Sequence, residues 1–189
     1  MRVISIPLLF VLVCSCNKPK QTIPTTYLLK SSVGVSVKND VVFVGTQQYN
    51  GFLLELSPTN DTLSTEGYVN GVLSGVCKKW YPNKQLREER EYVDGKKSGR
   101  QVAYWENGHK RFEFTAKNDA CEGELKEWDV DGHLFHLANY VNGQEEGTQK
   151  MWYNNGKIRA NYVIIKGKRY GLLGTKNCKN VSDSIFIVK

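Results

Sequence analysis

The side chains best able to do chemistry in this chain are its cysteines, its three histidines and one acidic turn. A thiol can act as a nucleophile, a metal ligand or half of a disulfide. The stretch Glu127-Trp128-Asp129-Val130-Asp131-Gly132 has acids at places one, three and five and glycine at six, the spacing of a calcium-binding loop. Its twelfth place is Ala138, where such a loop needs a bidentate Glu, so solvated carboxylates on a turn are expected instead. His109 and His133 each follow a turn glycine, where Lys157 stands in a similar stretch, and read as surface substitutes. His136 has no nearby Ser or Cys with a partnering acid to form a nucleophilic set. With no glycine-rich phosphate loop opening a helix either, the expectation is a protein that is not an enzyme and takes no cofactor and no metal.

A second group is better suited to contact than to catalysis. Tyr81, Trp105 and Tyr153 share one spacing, interrupted by Asp129, and Arg87, Arg111 and Arg159 share another, interrupted by Phe135. Aromatic rings beside arginines are common anchors of protein interfaces, and they also stack on sugars or meet lipid phosphates. The alternative is internal: cross-strand aromatic pairs, with Glu89 or Glu113 beside Arg neighbours, would simply stabilise a sheet.

The elements that must position these residues are written as a repeat. Trp80, Tyr104, Trp128 and Trp152 stand 24 residues apart, and so do Gly51, Gly75, Gly99, Gly123, Gly147 and Gly171. Pro82-Asn83-Lys84, Glu106-Asn107-Gly108, Val130-Asp131-Gly132 and Asn154-Asn155-Gly156 suit three-residue hairpin loops that end in a left-handed residue. Lys84 departs from glycine there, so its hairpin is expected to be strained or differently shaped. Stretches such as Asn142-Gly143-Gln144-Glu145-Glu146-Gly147 would join one hairpin to the next. A three-residue loop keeps Trp80 opposite Leu86, so the even-numbered columns share a face. That face, running from Trp80, Tyr104, Trp128 and Trp152 to Tyr92, Ala116, Tyr140 and Ile164, is mainly apolar and is expected to be buried. The odd face, with the aromatic and arginine rows, is expected to be wet. Cys77 and Cys121 would lie three or four strands apart, roughly 14 to 19 Å, which is too far for a disulfide.

The recurring Gly, Trp-Tyr, Asn-Gly and Tyr-x-x-Gly pattern from Gly51 to Gly171 resembles bacterial MORN-variant repeats. The resemblance implies an all-β fold, an elongated antiparallel sheet of repeated β-hairpins, and roles in protein or membrane contact. Similar proteins carry an antitoxin label, which follows from no residue here. The units at Gly51 and Gly171, with Leu56 and Lys176 in the Trp position, are looser, as capping units are.

At the other end of the chain, Arg2 precedes an apolar run, Ile4 to Val13, that is shorter than the roughly 20 residues a membrane-spanning helix needs. Val13-Cys14-Ser15-Cys16 then resembles the lipobox of bacterial lipoproteins, which implies cleavage after Ser15 and lipid on Cys16. Asn17, rather than Asp, after the lipidated Cys implies the outer membrane. Cleavage removes Arg2 and takes the formal charge from +7 to +6. It also leaves Cys77, Cys121 and Cys178, which cannot all pair within one chain.

The expected organisation is a leader over residues 1–15, a lipidated tether over 16–31, a capping hairpin over 32–50, MORN-like repeats over 51–174 and a closing strand within 175–189, at Ser184 to Val188. The expected role is that of an exported lipoprotein, held to the membrane through Cys16 and facing the periplasm, that docks another envelope protein. Alternatives are a binder of anionic lipid or surface polysaccharide, suggested by the positive charge, an antitoxin-like protein, and an envelope hydrolase. Export removes nucleic acid as a partner.

Overall fold

The computed structural model describes residues 22–174. The leader, Cys16, Cys178 and the strand expected at Ser184 to Val188 lie outside the described residues. The described chain contains sixteen strands and no helix: β1 (Tyr27–Leu29), β2 (Val35–Lys38), β3 (Val41–Val44), β4 (Gln47–Gln48), β5 (Gly51–Leu56), β6 (Thr62–Val69), β7 (Val72–Leu73), β8 (Gly75–Trp80), β9 (Leu86–Val93), β10 (Lys96–Tyr104), β11 (Lys110–Lys117), β12 (Ala120–Trp128), β13 (Leu134–Val141), β14 (Gln144–Trp152), β15 (Ile158–Ile165) and β16 (Lys168–Leu172). From β5 onward the strands pair in chain order as an antiparallel meander, with β1 added in parallel to β5 and β7 pairing with β6. Strands β2, β3 and β4 form a separate small sheet. The chain is thus an all-β repeat protein built of successive hairpins.

Two kinds of turn alternate along this meander. At one edge, which we call the tip edge, the left-handed position is filled by Lys84 at φ 69°, Gly108 at 87°, Gly132 at 88° and Gly156 at 76°. Each of these amides donates to the carbonyl three residues earlier, as Lys84 does to Tyr81 and Gly108 to Trp105. Lys84 therefore adopts the shape of the glycine turns and carries the steric cost of a Cβ in a left-handed conformation. At the opposite edge the connections are shorter than the six-residue stretches expected. Asp94-Gly95, Asn118-Asp119, Asn142-Gly143 and Lys166-Gly167 each have two successive positive φ values, which defines a two-residue type I′ turn. Gln144 to Gly147 belong to β14 instead of to a connection.

A bulge in every repeat rearranges the faces. Trp80 pairs with Leu86 as expected, but Lys79 pairs with Glu88, so Arg87 is an extra residue with no Cα partner on β8. The same one-residue shift puts Arg111 between Lys110 and Phe112, Phe135 between Leu134 and His136, and Arg159 between Ile158 and Ala160. Side chains alternate along a strand, so Trp128 lies on the face of Lys126 and opposite Glu127, which reaches His136. The aromatic column and the Leu86, Lys110, Leu134, Ile158 column therefore occupy the face expected to be wet. Lys110 confirms this placement by bonding to Glu113 at 2.6 Å. The other three even columns do form the more buried face, with Ala116, Ala138, Ala160, Tyr162 and Ile164 all nearly inaccessible.

Two clusters of buried hydrophobic residues lie toward the two ends of the sheet. The small sheet closes the first end, where Val42, Tyr49, Leu53 and Tyr68 form a cluster flanked by Leu28, Val35, Val44 and Leu73. Ala160, Tyr162 and Ile164 form another, with Met151 against them. Of the span read as a tether, the described residues from 22 onward are docked. Tyr27–Leu29 is a strand, and the Thr26 carbonyl accepts hydrogen bonds from the Phe52 amide and the Tyr49 hydroxyl. A methyl group on Gly67 would come within 2.5 Å of Ile23 Cδ1 and one on Gly75 within 2.7 Å, so these glycines leave the space Ile23 fills.

Candidate binding edge

The tip edge carries all six residues of the aromatic and arginine rows, and the structure separates their roles. The Tyr81 hydroxyl donates to the Tyr104 carbonyl at 3.0 Å, and Trp105 Nε1 donates to the Trp128 carbonyl at 3.0 Å. Each bond crosses from one hairpin tip to the next. One tier further out, Asn83 Nδ2 donates to the Glu106 carbonyl at 3.2 Å and Asn107 Nδ2 to the Val130 carbonyl at 2.6 Å. Asn83 and Asn107 also accept, through Oδ1, an amide of their own turn. The Asn of the Asn-Gly signature thus fastens its own turn and the neighbouring one. Tyr81 and Trp105 serve the sheet through their polar atoms, and both rings are half-buried. Tyr153 stands at the tip of the β14–β15 hairpin and is 42% exposed.

The arginines divide cleanly. Six lie among the described residues. Arg90 pairs with Glu88, Arg100 with Glu89 and Glu113, and Arg169 with Glu145. Among the described residues, Arg87, Arg111 and Arg159 have no carboxylate partner. These three are the bulge residues, and a bulge re-aims the side chain it carries. The Arg111 guanidinium lies over the Trp105 ring, 4.8 Å from its centroid, which stacks an exposed cation on an aromatic face. Phe135, in the same bulge position one hairpin on, is 37% exposed.

The carboxylates expected to engage the row are taken by other cations. Glu89 meets Lys78 at 3.0 Å and Arg100 at 3.4 Å, and Glu113 meets Arg100 at 2.8 Å and Lys110 at 2.6 Å. The hydrogen bond from Lys110, joined by that from Arg100, outweighs the opposing effect of desolvation and holds the Glu113 carboxyl below its ordinary pKa. Arg100 sits on β10, outside the columns that carry the aromatic and arginine rows. Gln101 and Gln149 were also missed. They occupy the same repeat position, are 0% and 1% exposed, and donate to the carbonyls of Glu91 and Asn139, which a second register shift leaves without Cα partners on β10 and β14 respectively.

The remaining candidates for chemistry stay apart. Asp129 Oδ1 accepts the amides of Asp131 and His133, and Oδ2 contacts His133 Nδ1 at 3.2 Å. One ligand atom from each of Asp129, Asp131 and His133 lies within 4.8 Å of the others, but Ala138, the twelfth place, is buried on the other face. His136 Nδ1 meets Glu127 at 2.7 Å, with no thiol or hydroxyl in that pair. Cys77 and Cys121 are free and lie four strands apart, on β8 and β12. Burial pushes the Cys77 thiol up to about 11 and also raises that of Cys121, so neither is activated as a nucleophile.

A family model described as MORN repeat variant matches residues 73–94 and 145–162. The first stretch runs from the end of β7 through the β8–β9 hairpin to its type I′ turn, and the second covers β14 and most of β15. No curated protein matches the chain.

Proposed function

We propose that this repeat protein is a non-enzymatic lipoprotein, anchored in the cell envelope through Cys16, that docks another envelope protein along its tip edge. The observation that carries this reading is the division of the arginines. Arg90, Arg100 and Arg169 are paired with carboxylates, whereas the three at the bulges are exposed and, among the described residues, without one, and Arg111 of these lies over the Trp105 ring. Such a row offers area and directional donors while the sheet beneath it holds the backbone still. The outer-membrane location and periplasmic orientation belong to the same proposal and rest on the lipobox resemblance.

The aromatic residues bond between tips, so the informative variant changes the arginines and keeps the rings. Arg87→Gln, Arg111→Gln and Arg159→Gln together should leave the fold intact and abolish capture of a specific envelope protein in an in-cell cross-linking pull-down. Identical capture by wild type and variant would remove the tip edge as the interface. Separately, Cys16→Ala should move the protein from the membrane to the soluble fraction. A second reading, binding to anionic lipid or surface polysaccharide, draws on the formal charge of +7. It predicts binding to anionic vesicles that collapses with ionic strength, because exposed charges are screened within about 10 Å at 0.1 M salt.

A further inference from the structure

Resting on the tip edge as the interface, the geometry points to a specific occupant: an acidic, proline-rich segment of a partner protein, held as a polyproline II helix across the hairpin tips. The argument is one of matching periods. Successive hairpins are two strands apart, so any repeat position recurs about every 9.5 Å across the sheet. A polyproline II helix has three residues per turn at about 3.1 Å each, so every third side chain points the same way every 9.3 Å or so. Other conformations fit less well. An extended strand repeats a face about every 6.7 Å, and it would need the unpaired backbone of a sheet edge, whereas the tips are closed turns. An α-helix returns to one face after seven residues, about 10.5 Å, and slips by roughly 1 Å at each hairpin. Polyproline II also has no internal hydrogen bonds to break if it bends along a twisted sheet, and it is a form that aromatic-lined surfaces recognise.

The bulge row then specifies a pattern. Arg87 and Arg111, one hairpin apart, call for carboxylates three residues apart. Phe135, in the third bulge, calls for an apolar side chain, and the Asp129 carboxylate of that hairpin disfavours an acid there. Arg159, in the fourth, calls for an acid again. The segment reads acid-x-x-acid-x-x-apolar-x-x-acid, with prolines among the intervening places and their rings against Trp105 and Tyr153. Trp105 takes part through its ring face, because its Nε1 is already bonded to the Trp128 carbonyl.

The test uses two fluorescent ten-residue peptides of identical composition, three glutamates, one leucine and six prolines, titrated by anisotropy against the full chain in detergent micelles. One carries the glutamates and leucine at every third place in the order above. The other places the same four residues at every second place. The in-register peptide should bind at least about tenfold more tightly, and Arg111→Gln should weaken it by about tenfold, as expected for losing a close charge pair. Lys117→Gln, which removes a positive charge at the opposite edge, should leave binding unchanged. Equal binding of the two peptides, no binding by either, or indifference to Arg111→Gln would overturn the inference. If neither peptide binds while the triple arginine variant still loses its cross-linked protein, the interface stands and this occupant is wrong. If anionic vesicles bind through the arginines and the peptides do not, the occupant is a membrane surface.

Discussion

The junctions between hairpin tips differ in one respect along the sheet. From the β8–β9 tip to the β10–β11 tip, and from there to the β12–β13 tip, an aromatic residue and an asparagine reach across and donate to backbone carbonyls. At the next junction the residues in those places are Asp129 and Asp131, and a carboxylate has no hydrogen to donate. Asp129 turns back on its own loop instead. The backbone ladder continues through the change, with β13 still paired to β14. The side-chain ties are therefore a layer added to the sheet, one that a repeat can lose without losing its place in the array. In a structure where each repeat leans mainly on its neighbours, such a loss lowers one interface term and leaves the others alone.

The largest effect should come from breaking a tie that exists. Trp105→Ala removes a half-buried ring, the bond to Trp128 and the seat of Arg111, and should cost about 2 to 3 kcal/mol in urea unfolding. A loss below about 0.5 kcal/mol would mean the ties carry no stability. Lys84→Gly relieves a left-handed lysine at φ 69° and should stabilise the protein by about 1 kcal/mol, read as a rise in Tm. A fall in Tm would show that the Lys84–Asp61 ion pair, at 2.8 Å, outweighs the backbone relief. Asp131→Asn restores a donor at the untied junction and should add about 0.5 to 1 kcal/mol, with slower amide exchange at the β14–β15 tip. Unchanged exchange would mean the missing donor is not what distinguishes this junction.

The smallest effect is one of pH. Desolvation raises the Asp129 pKa, but hydrogen bonds from the His133 amide and ring and from the Asp131 amide outweigh it and leave the value below the ordinary one. A carboxylate with a depressed folded pKa stabilises above its unfolded value, near 4, and that contribution is lost as pH falls through the folded value. Asp129→Asn should therefore flatten the acid limb of the stability curve. Equal slopes in wild type and Asp129→Asn would remove this carboxylate from the acid response.

The 24-residue spacing makes the hairpins, both edges and the two surface rows readable from the sequence, because left-handed turn positions demand Asn, Asp or Gly at fixed places. The bulge is not readable in the same way. Arg87 and Leu86 look like consecutive strand residues, and only the pairing of Lys79 with Glu88 shows that one of them is extra. That single residue moves the Trp80 column to the other face. The division of the arginines was hidden for a related reason, since it depends on Arg100 reaching Glu89 and Glu113 from a neighbouring strand. The seat of Ile23 depends on Gly67 and Gly75, far along the chain, and polar residues around Pro24 gave no hint of it.

Ile23 in its glycine notch also sets a leash. Seven peptide steps separate it from Cys16, and a fully extended chain covers at most about 3.5 Å per residue, so a lipid on Cys16 would hold the β5–β6 end of the sheet within roughly 25 Å of the bilayer surface. The tips that carry the arginines lie progressively further along the array, at about 4.8 Å per strand.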